Sequence, residues 1–363
     1  MTGVYVHVPF CKRKCPYCDF FSAAADESRI DEYTRALCGR IGLYAGRYPC
    51  AADTLYFGGG TPSLIGAERL CRIYSAVSEG FGLSQGAEVT LEVNPEKKDI
   101  DFEALRKCGF NRVSIGLQSS DDNELGLLGR LHNRDDALRC IRAARSAGFD
   151  NISLDLMIAT PSQTRESLKR SIAFCAENGA RHISAYLLKI EEGTPYYRMK
   201  DSLGLCGDDE QAEAYIFAAE ELESYGYGQY EISNFSIEGY ESRHNLIYWR
   251  DEEYFGFGPS AHSFIGGRRR YYERSFEGFY NDELIDDGEG GGEEEFIMLG
   301  LRLAEGITYE RFRRRFGREL PEKYVRRAQA LEAAGYTVSD TDGIRLTRRG
   351  FLVSNAVLAE ILK

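Results

Sequence analysis

Six short apolar runs recur along the first half of the chain, at residues 4–8, 54–57, 89–93, 113–117, 152–157 and 183–188. Each is too short for a helix and rich in β-branched or aromatic residues, so each reads as a strand. Segments between them, residues 31–44, 67–77, 134–147 and 166–177, place apolar residues at three-to-four spacing and read as crossover helices. Such alternation predicts a parallel sheet in an α/β fold. Unusual residues follow several strands: Gly58-Gly59-Gly60-Thr61-Pro62, Asn94-Pro95 and Gln118. Chemistry gathered at strand C-terminal ends is the habit of barrels. We therefore expect residues 1–206 to form an incomplete (β/α)6 barrel, open on one side to a large ligand.

From about residue 207 the alternation stops. A helical stretch at 211–224 is followed by aromatic-rich segments, so residues 207–287 are expected to extend the sheet and cover the barrel. Residues 286–295 mix like charges with glycine and predict a solvated linker with a boundary near 288. Beyond it, helical patterns at 296–304, 309–316 and 324–334 precede strand-like pieces at 336–339 and 344–346, which suggests a small winged-helix-like domain over 288–363.

With 363 residues, 43% of them hydrophobic, the chain can fill a sizeable core. A net charge of -12 argues against a surface that wraps phosphate backbones. The arginines at 311, 313–315 and 326–327 lie among acidic residues and read as solvated helix faces, so nucleic acid is not an expected partner. No apolar run approaches the roughly 20 residues of a membrane span. The first residues enter a strand-like pattern without a secretory start, and a cytoplasmic location is expected. Of ten cysteines, Cys38, Cys50, Cys71, Cys108, Cys140, Cys175 and Cys206 are scattered singly and read as free thiols.

The other three stand together in Cys11-Lys12-Arg13-Lys14-Cys15-Pro16-Tyr17-Cys18, immediately after a strand. Zinc sites prefer two ligand pairs, and no matching downstream pair is present. Three thiolates on one loop suit three corners of a four-iron four-sulfur cluster. The fourth iron then remains free to chelate the amino and carboxylate groups of S-adenosylmethionine. Lys12, Arg13 and Lys14 are expected to favour the thiolates. The triple glycine adds backbone groups that a ligand can approach closely, although a plain turn would look similar.

These motifs carry a resemblance. Tyr5-Val6-His7-Val8-Pro9-Phe10-Cys11, Gly58 to Pro62, Glu92-Val93-Asn94-Pro95 and Ser114-Ile115-Gly116-Leu117-Gln118 resemble the radical SAM proteins related to oxygen-independent coproporphyrinogen III oxidase. Tyr230-Glu231-Ile232-Ser233-Asn234-Phe235 and His244-Asn245-Leu246-Ile247-Tyr248-Trp249 resemble the HemW-type haem chaperones within that group. The resemblance makes Cys11, Cys15 and Cys18 the cluster ligands. It implies that Tyr5, Tyr17, Gly59, Gly60, Thr61, Glu92, Gln118, Arg130 and Asp155 contact S-adenosylmethionine.

Two departures separate the chain from the true oxidases, which carry a further Cys two positions after the third ligand and a long N-terminal extension. Here Phe20 occupies that position, and only four residues precede Tyr5. A smaller departure is Ala159-Thr160-Pro161-Ser162-Gln163, where the family usually has Gly-Leu-Pro-Gly-Gln; a differently shaped loop is expected there.

His244 has aromatic neighbours that could face a porphyrin, a pattern equally that of a buried, hydrogen-bonded histidine. The resemblance favours haem, with His262 as second candidate. It implies a haem chaperone that delivers haem to apo-proteins such as respiratory enzymes and draws on a reduced electron donor. The alternative is a radical SAM enzyme that decarboxylates coproporphyrinogen III or modifies another tetrapyrrole.

Overall fold

The computed structural model describes residues 1–24, 26–96 and 100–363. Six parallel strands lie side by side in chain order: β1 (Gly3–Val8), β2 (Ala52–Gly59), β3 (Leu83–Val93), β4 (Arg112–Gln118), β5 (Asn151–Ile158) and β6 (His182–Leu187). They are joined by α1 (Glu27–Arg47), α2 (Ala67–Gly80), α3 (Phe102–Cys108), α4 (Arg134–Ser146) and α5 (Arg165–Glu177), with α6 (Asp208–Ser224) after β6. Local sequence sets the helix starts: Asn133 with Asp136, and Thr164 with Ser167, form reciprocal capping boxes at α4 and α5.

A strand covered on both faces in a parallel sheet usually reads as a continuous apolar run. These strands instead alternate. On β4, Val113, Ile115 and Leu117 belong to the buried apolar core, while Arg112, Ser114, Gly116 and Gln118 line an internal cavity. Because successive side chains point to opposite faces, one face of each strand packs beneath helices and the other makes a polar barrel interior.

The sheet continues past both ends of this run to a total of twelve strands. Beside β6 lie β8 (Asn234–Ser236) and then β7 (Gly228–Gln229), both antiparallel. On the other side β9 (Tyr254–Phe257) pairs in parallel with β1, followed by antiparallel β10 (His262–Ile265), β11 (Arg268–Tyr272) and β12 (Leu284–Glu289). The expected extension is thus divided between the two edges. Between β8 and β9, α7 (Arg243–Trp249) packs its His244 and Ile247 against Gly3 and Thr54, near the N-terminal ends of β1 and β2. The Glu88 carboxylate there accepts from the backbone N–H groups of Arg243 (3.2 Å) and His244 (3.0 Å).

The acidic glycine-rich stretch is mostly regular structure. Leu284–Glu289 is the edge strand β12, and Glu293 begins α8 (Glu293–Gly300), which leaves residues 290–292 as the connection between them. Arg268 holds Asp286, which offsets part of the charge that suggested a linker. The C-terminal region combines α8, α9 (Tyr309–Phe316), α10 (Glu322–Glu332), α11 (Arg348–Leu352) and α12 (Ser354–Leu362) with a three-stranded antiparallel sheet, β13 (Ile307–Thr308), β14 (Thr337–Ser339) and β15 (Gly343–Leu346). Most of the arginines noted in the sequence are paired, Arg311 with Glu305, Arg313 with Glu319, Arg314 with Glu310, Arg315 with Asp251 and Arg326 with Glu322, while Arg327 donates to Ile361 O at 3.1 Å. Among the described residues no helix is long and apolar enough to cross a membrane.

Candidate functional site

The chain leaves β1 at Val8 and enters the cysteine loop, where the Cys18 N–H donates to Cys15 O at 3.1 Å and closes a tight turn. Cys11 Sγ lies 3.6 Å from Thr61 Oγ1, which accepts from Asn94 Nδ2 at 2.8 Å. Lys12 pairs with Glu96 at 3.8 Å, and Arg13 donates to Gly129 O at 2.7 Å. Arg13 and Lys14 line the same cavity as the thiols, and Lys14 lies near Cys18. The guanidinium that reaches a thiol is that of Arg130, donating to Cys15 Sγ at 3.7 Å and to Tyr17 Oη at 3.4 Å. Its other nitrogen donates to Asn94 Oδ1 (2.7 Å) and Gly116 O (2.8 Å). Burial raises the Cys11 and Cys18 thiols above their usual range.

A cavity of about 450 Å³ opens at the strand C-terminal ends, within the roughly 300–1,000 Å³ of small-molecule sites. It is lined by Cys11, Cys15, Cys18, Tyr17, Gly59, Gly60, Thr61, Glu92, Gln118, Arg130 and Asp155, all singled out in the sequence. It is also lined by Tyr56, Asn94, Arg112, Ser114, Ser184, Tyr186 and Asn245. Tyr56 lies two residues before Gly58, Arg112 and Ser114 lie six and four before Gln118, and Ser184 and Tyr186 are two apart on β6, so alternation along the strand was the signal for these five, while Asn94 was already marked by its place after β3. Phe20, 64% exposed, stands at the mouth where the oxidases have their further cysteine.

The glycines are required by close approach. Gly59 has φ 106°, and a Cβ there would sit 2.6 Å from the His7 ring; at Gly60 it would sit 2.6 Å from Phe10 O. Tyr56 Oη and the Gly59 N–H donate to the two oxygens of Glu92, at 2.8 and 3.1 Å. Burial nevertheless pushes the Glu92 carboxyl up to about 7, with Asp155 adding repulsion. Asp155, accepting from Ser114 Oγ at 3.0 Å, is pushed up to about 6, again by burial first. Gln118 adopts φ 68° at a register break in β4, which turns its side chain into the cavity, where it accepts from Tyr186 Oη at 2.9 Å.

These residues suit the cofactors. The three thiols are unpaired, as are all ten cysteines, and the Arg130 Nε is buried without a partner beside them. Among the described residues no three His, Cys, Asp or Glu side chains converge tightly enough to share a single ion. Ligands of a cube with iron at separate corners need not converge in that way.

The Ala159 loop is left-handed at two residues, Ala159 with φ 58° and Ser162 with φ 64°, the two positions at which the resembling family usually has glycine. Gln163 secures it, accepting from the Ala159 N–H (2.7 Å) and donating to Met157 O (2.9 Å). The Gln163 side chain thus holds side-chain-bearing residues in backbone conformations that favour glycine.

Tyr5 and His244 do not reach the cavity wall. Tyr5 hydrogen-bonds His7 Nδ1 at 3.1 Å on the same strand. His244 is 1% exposed; Nδ1 is paired with Thr54 Oγ1 at 2.7 Å and Nε2 with Tyr248 Oη at 2.8 Å. Burial lowers its pKa to about 3, so it stays neutral. Both ring nitrogens are thus engaged, the arrangement of a hydrogen-bonded core histidine, and Asn245 reaches the cavity in its place. His262 is exposed on β10 and stacks on Tyr271 with ring centroids 5.1 Å apart.

The description "Radical SAM superfamily" matches residues 5–175, and "HemN C-terminal domain" matches residues 294–353. The chain is 35% identical to the Bacillus subtilis protein named heme chaperone HemW, over 100% of this chain and 99% of that one. It is 33% identical to the Escherichia coli heme chaperone HemW, over 98% and 97% respectively. It is 32% identical to the Danio rerio protein named radical S-adenosyl methionine domain-containing protein 1, mitochondrial, over 99% and 87%. Among solved structures, coproporphyrinogen III oxidase (HemN) from Escherichia coli superposes with a TM-score of 0.83 at 21% identity, over 99% of this chain and 89% of that one, a likeness of fold.

Proposed function

The chain belongs to the HemW family of the radical SAM superfamily, and from that premise we propose that it is a haem chaperone carrying a four-iron four-sulfur cluster and S-adenosylmethionine. In this reading Cys11, Cys15 and Cys18 hold the cluster, whose chemistry when bound is electron transfer to the sulfonium of S-adenosylmethionine. Arg130 faces the cofactor carboxylate, Gly59, Gly60 and Thr61 cradle the methionyl end, and Glu92, Gln118 and Asp155 receive its hydroxyl or ammonium groups. Haem is the cargo, passed to apo-proteins. Unpaired cysteines throughout favour a reducing compartment such as the cytoplasm.

The observation that carries the reading is the convergence of three free thiols and the cofactor-contact residues on one cavity, with Phe20 at its mouth. The oxidase pattern places a further thiol there. Anaerobic reconstitution should give about four iron and four sulfide per chain. Added haem should shift its Soret band and then move to an acceptor apo-protein. An unchanged Soret band, or turnover of coproporphyrinogen to protoporphyrinogen, would reject the chaperone assignment.

A further inference from the structure

Arg112 lies at the closed end of the same cavity, outside the residues assigned to S-adenosylmethionine. It is 2% exposed, and its Nε has no hydrogen-bond partner. No ion pair to it forms among the described residues. Its register neighbours across the sheet are Thr90 on β3 and Asn151 on β5, and Thr90 Oγ1 and Asn151 Oδ1 are also buried without partners. Three adjacent strands therefore present three unsatisfied polar groups in one row.

The groups around the guanidinium do not neutralise it by contact. Glu92 is held by Tyr56 and Gly59, and Asp155 by Ser114. His182 and His244 are kept uncharged by burial. Glu88 is turned to the N-terminus of α7. Water can satisfy the hydroxyl of Thr90 and the amide of Asn151, but it does not balance a buried cation. On the facing side, Asn245 of α7 lines the cavity, with its backbone N–H already engaged by Ser242 Oγ at 3.4 Å. The planar fork of a guanidinium matches a carboxylate, and an amide NH2 adds a third donor.

We propose that Arg112 and Asn245 form a carboxylate-binding subsite at the closed end of the cavity, taking a small carboxylate-bearing molecule or substituent enclosed between α7 and the cofactor residues. The subsite uses side chains that the cofactor assignment leaves free. It stands or falls separately from haem transfer.

The test titrates the full chain with sodium acetate against sodium chloride at constant ionic strength, following thermal unfolding, with inorganic phosphate as a third arm. Wild type should be stabilised saturably by acetate alone. Arg112→Gln should weaken the response about tenfold or more, the loss of one charge-assisted contact, and Asn245→Ala by a smaller but measurable factor. Circular dichroism verifies folding, and Asn245→Ala decides the matter if Arg112→Gln does not fold. No acetate response beyond chloride, an equal response to phosphate, or equal responses in wild type and Asn245→Ala overturns the proposal. Iron content after reconstitution, measured in parallel, reports on the cysteine loop independently.

Discussion

Arg130 ties the cysteine loop to the barrel: its Nη1 donates to Cys15 Sγ at 3.7 Å while Nη2 is anchored on Gly116 O at 2.8 Å. One guanidinium thus bridges a proposed iron ligand and the end of β4. Arg130→Gln is expected to lose at least about tenfold in S-adenosylmethionine affinity, the scale of a charge-assisted pair. Arg130→Lys should recover only part, since a point charge does not reproduce the fork. Equilibrium binding to the reconstituted variants checks this, and wild-type affinity in Arg130→Gln would remove the residue from the cofactor site.

The folded-state pKa of Glu92, raised to about 7, lies above its unfolded value of about 4.3. Between those values the folded chain holds a proton that the unfolded chain releases, so this group's contribution to stability falls as pH rises through the window. His182 and His244, lowered by burial, act in the opposite direction below their unfolded pKa. The informative quantity is therefore the difference between wild type and Glu92→Gln. The cofactor-free variant should gain Tm relative to wild type at pH 8 and gain little at pH 4.5. A difference independent of pH would mean that Glu92 is not held protonated.

Ala159 and Ser162 carry left-handed backbone that costs a side-chain-bearing residue roughly 1 kcal/mol or more. Ala159→Gly and Ser162→Gly should each stabilise the chain by about 0.5–1 kcal/mol once glycine's extra chain entropy is offset. Denaturant unfolding measures this. Destabilisation by both substitutions would show that the loop adopts another conformation.

The two histidine candidates separate by what their nitrogens already do. His244→Ala should unpair Thr54 and Tyr248 in the core and lower stability by about 1–3 kcal/mol. His262→Ala should leave stability nearly unchanged and weaken the haem Soret signature. If instead a folded His244→Ala chain loses haem while His262→Ala keeps it, haem uptake requires α7 to open.

The parallel strands and most helices were legible because apolar spacing sets them, and the cysteine loop because three thiols at that spacing have few other uses. Less legible was the barrel interior. Arg112 and Ser114 read as incidental polar residues within an apolar run until β4 is known to bury one face under helices and turn the other inward. The stretch 286–295 hid a strand because charge and glycine suggest a linker, whereas the cross-strand partner of Asp286, Arg268, lies 18 residues upstream. His244 could not be resolved from sequence, since its hydrogen-bond partner Thr54 is 190 positions away.

The sheet order also bears on synthesis. β1 sits between β2 and β9, and its pairing of Gly3 with Tyr254 cannot form until some 250 residues later have been made. At roughly 5–20 residues per second, that edge waits about ten to fifty seconds beside the ribosome. The nascent barrel thus exposes an unpaired parallel strand next to its three cysteines during this interval. Cluster insertion and edge closure therefore compete in time, and a chain truncated before β9 should aggregate rather than accumulate as a free barrel.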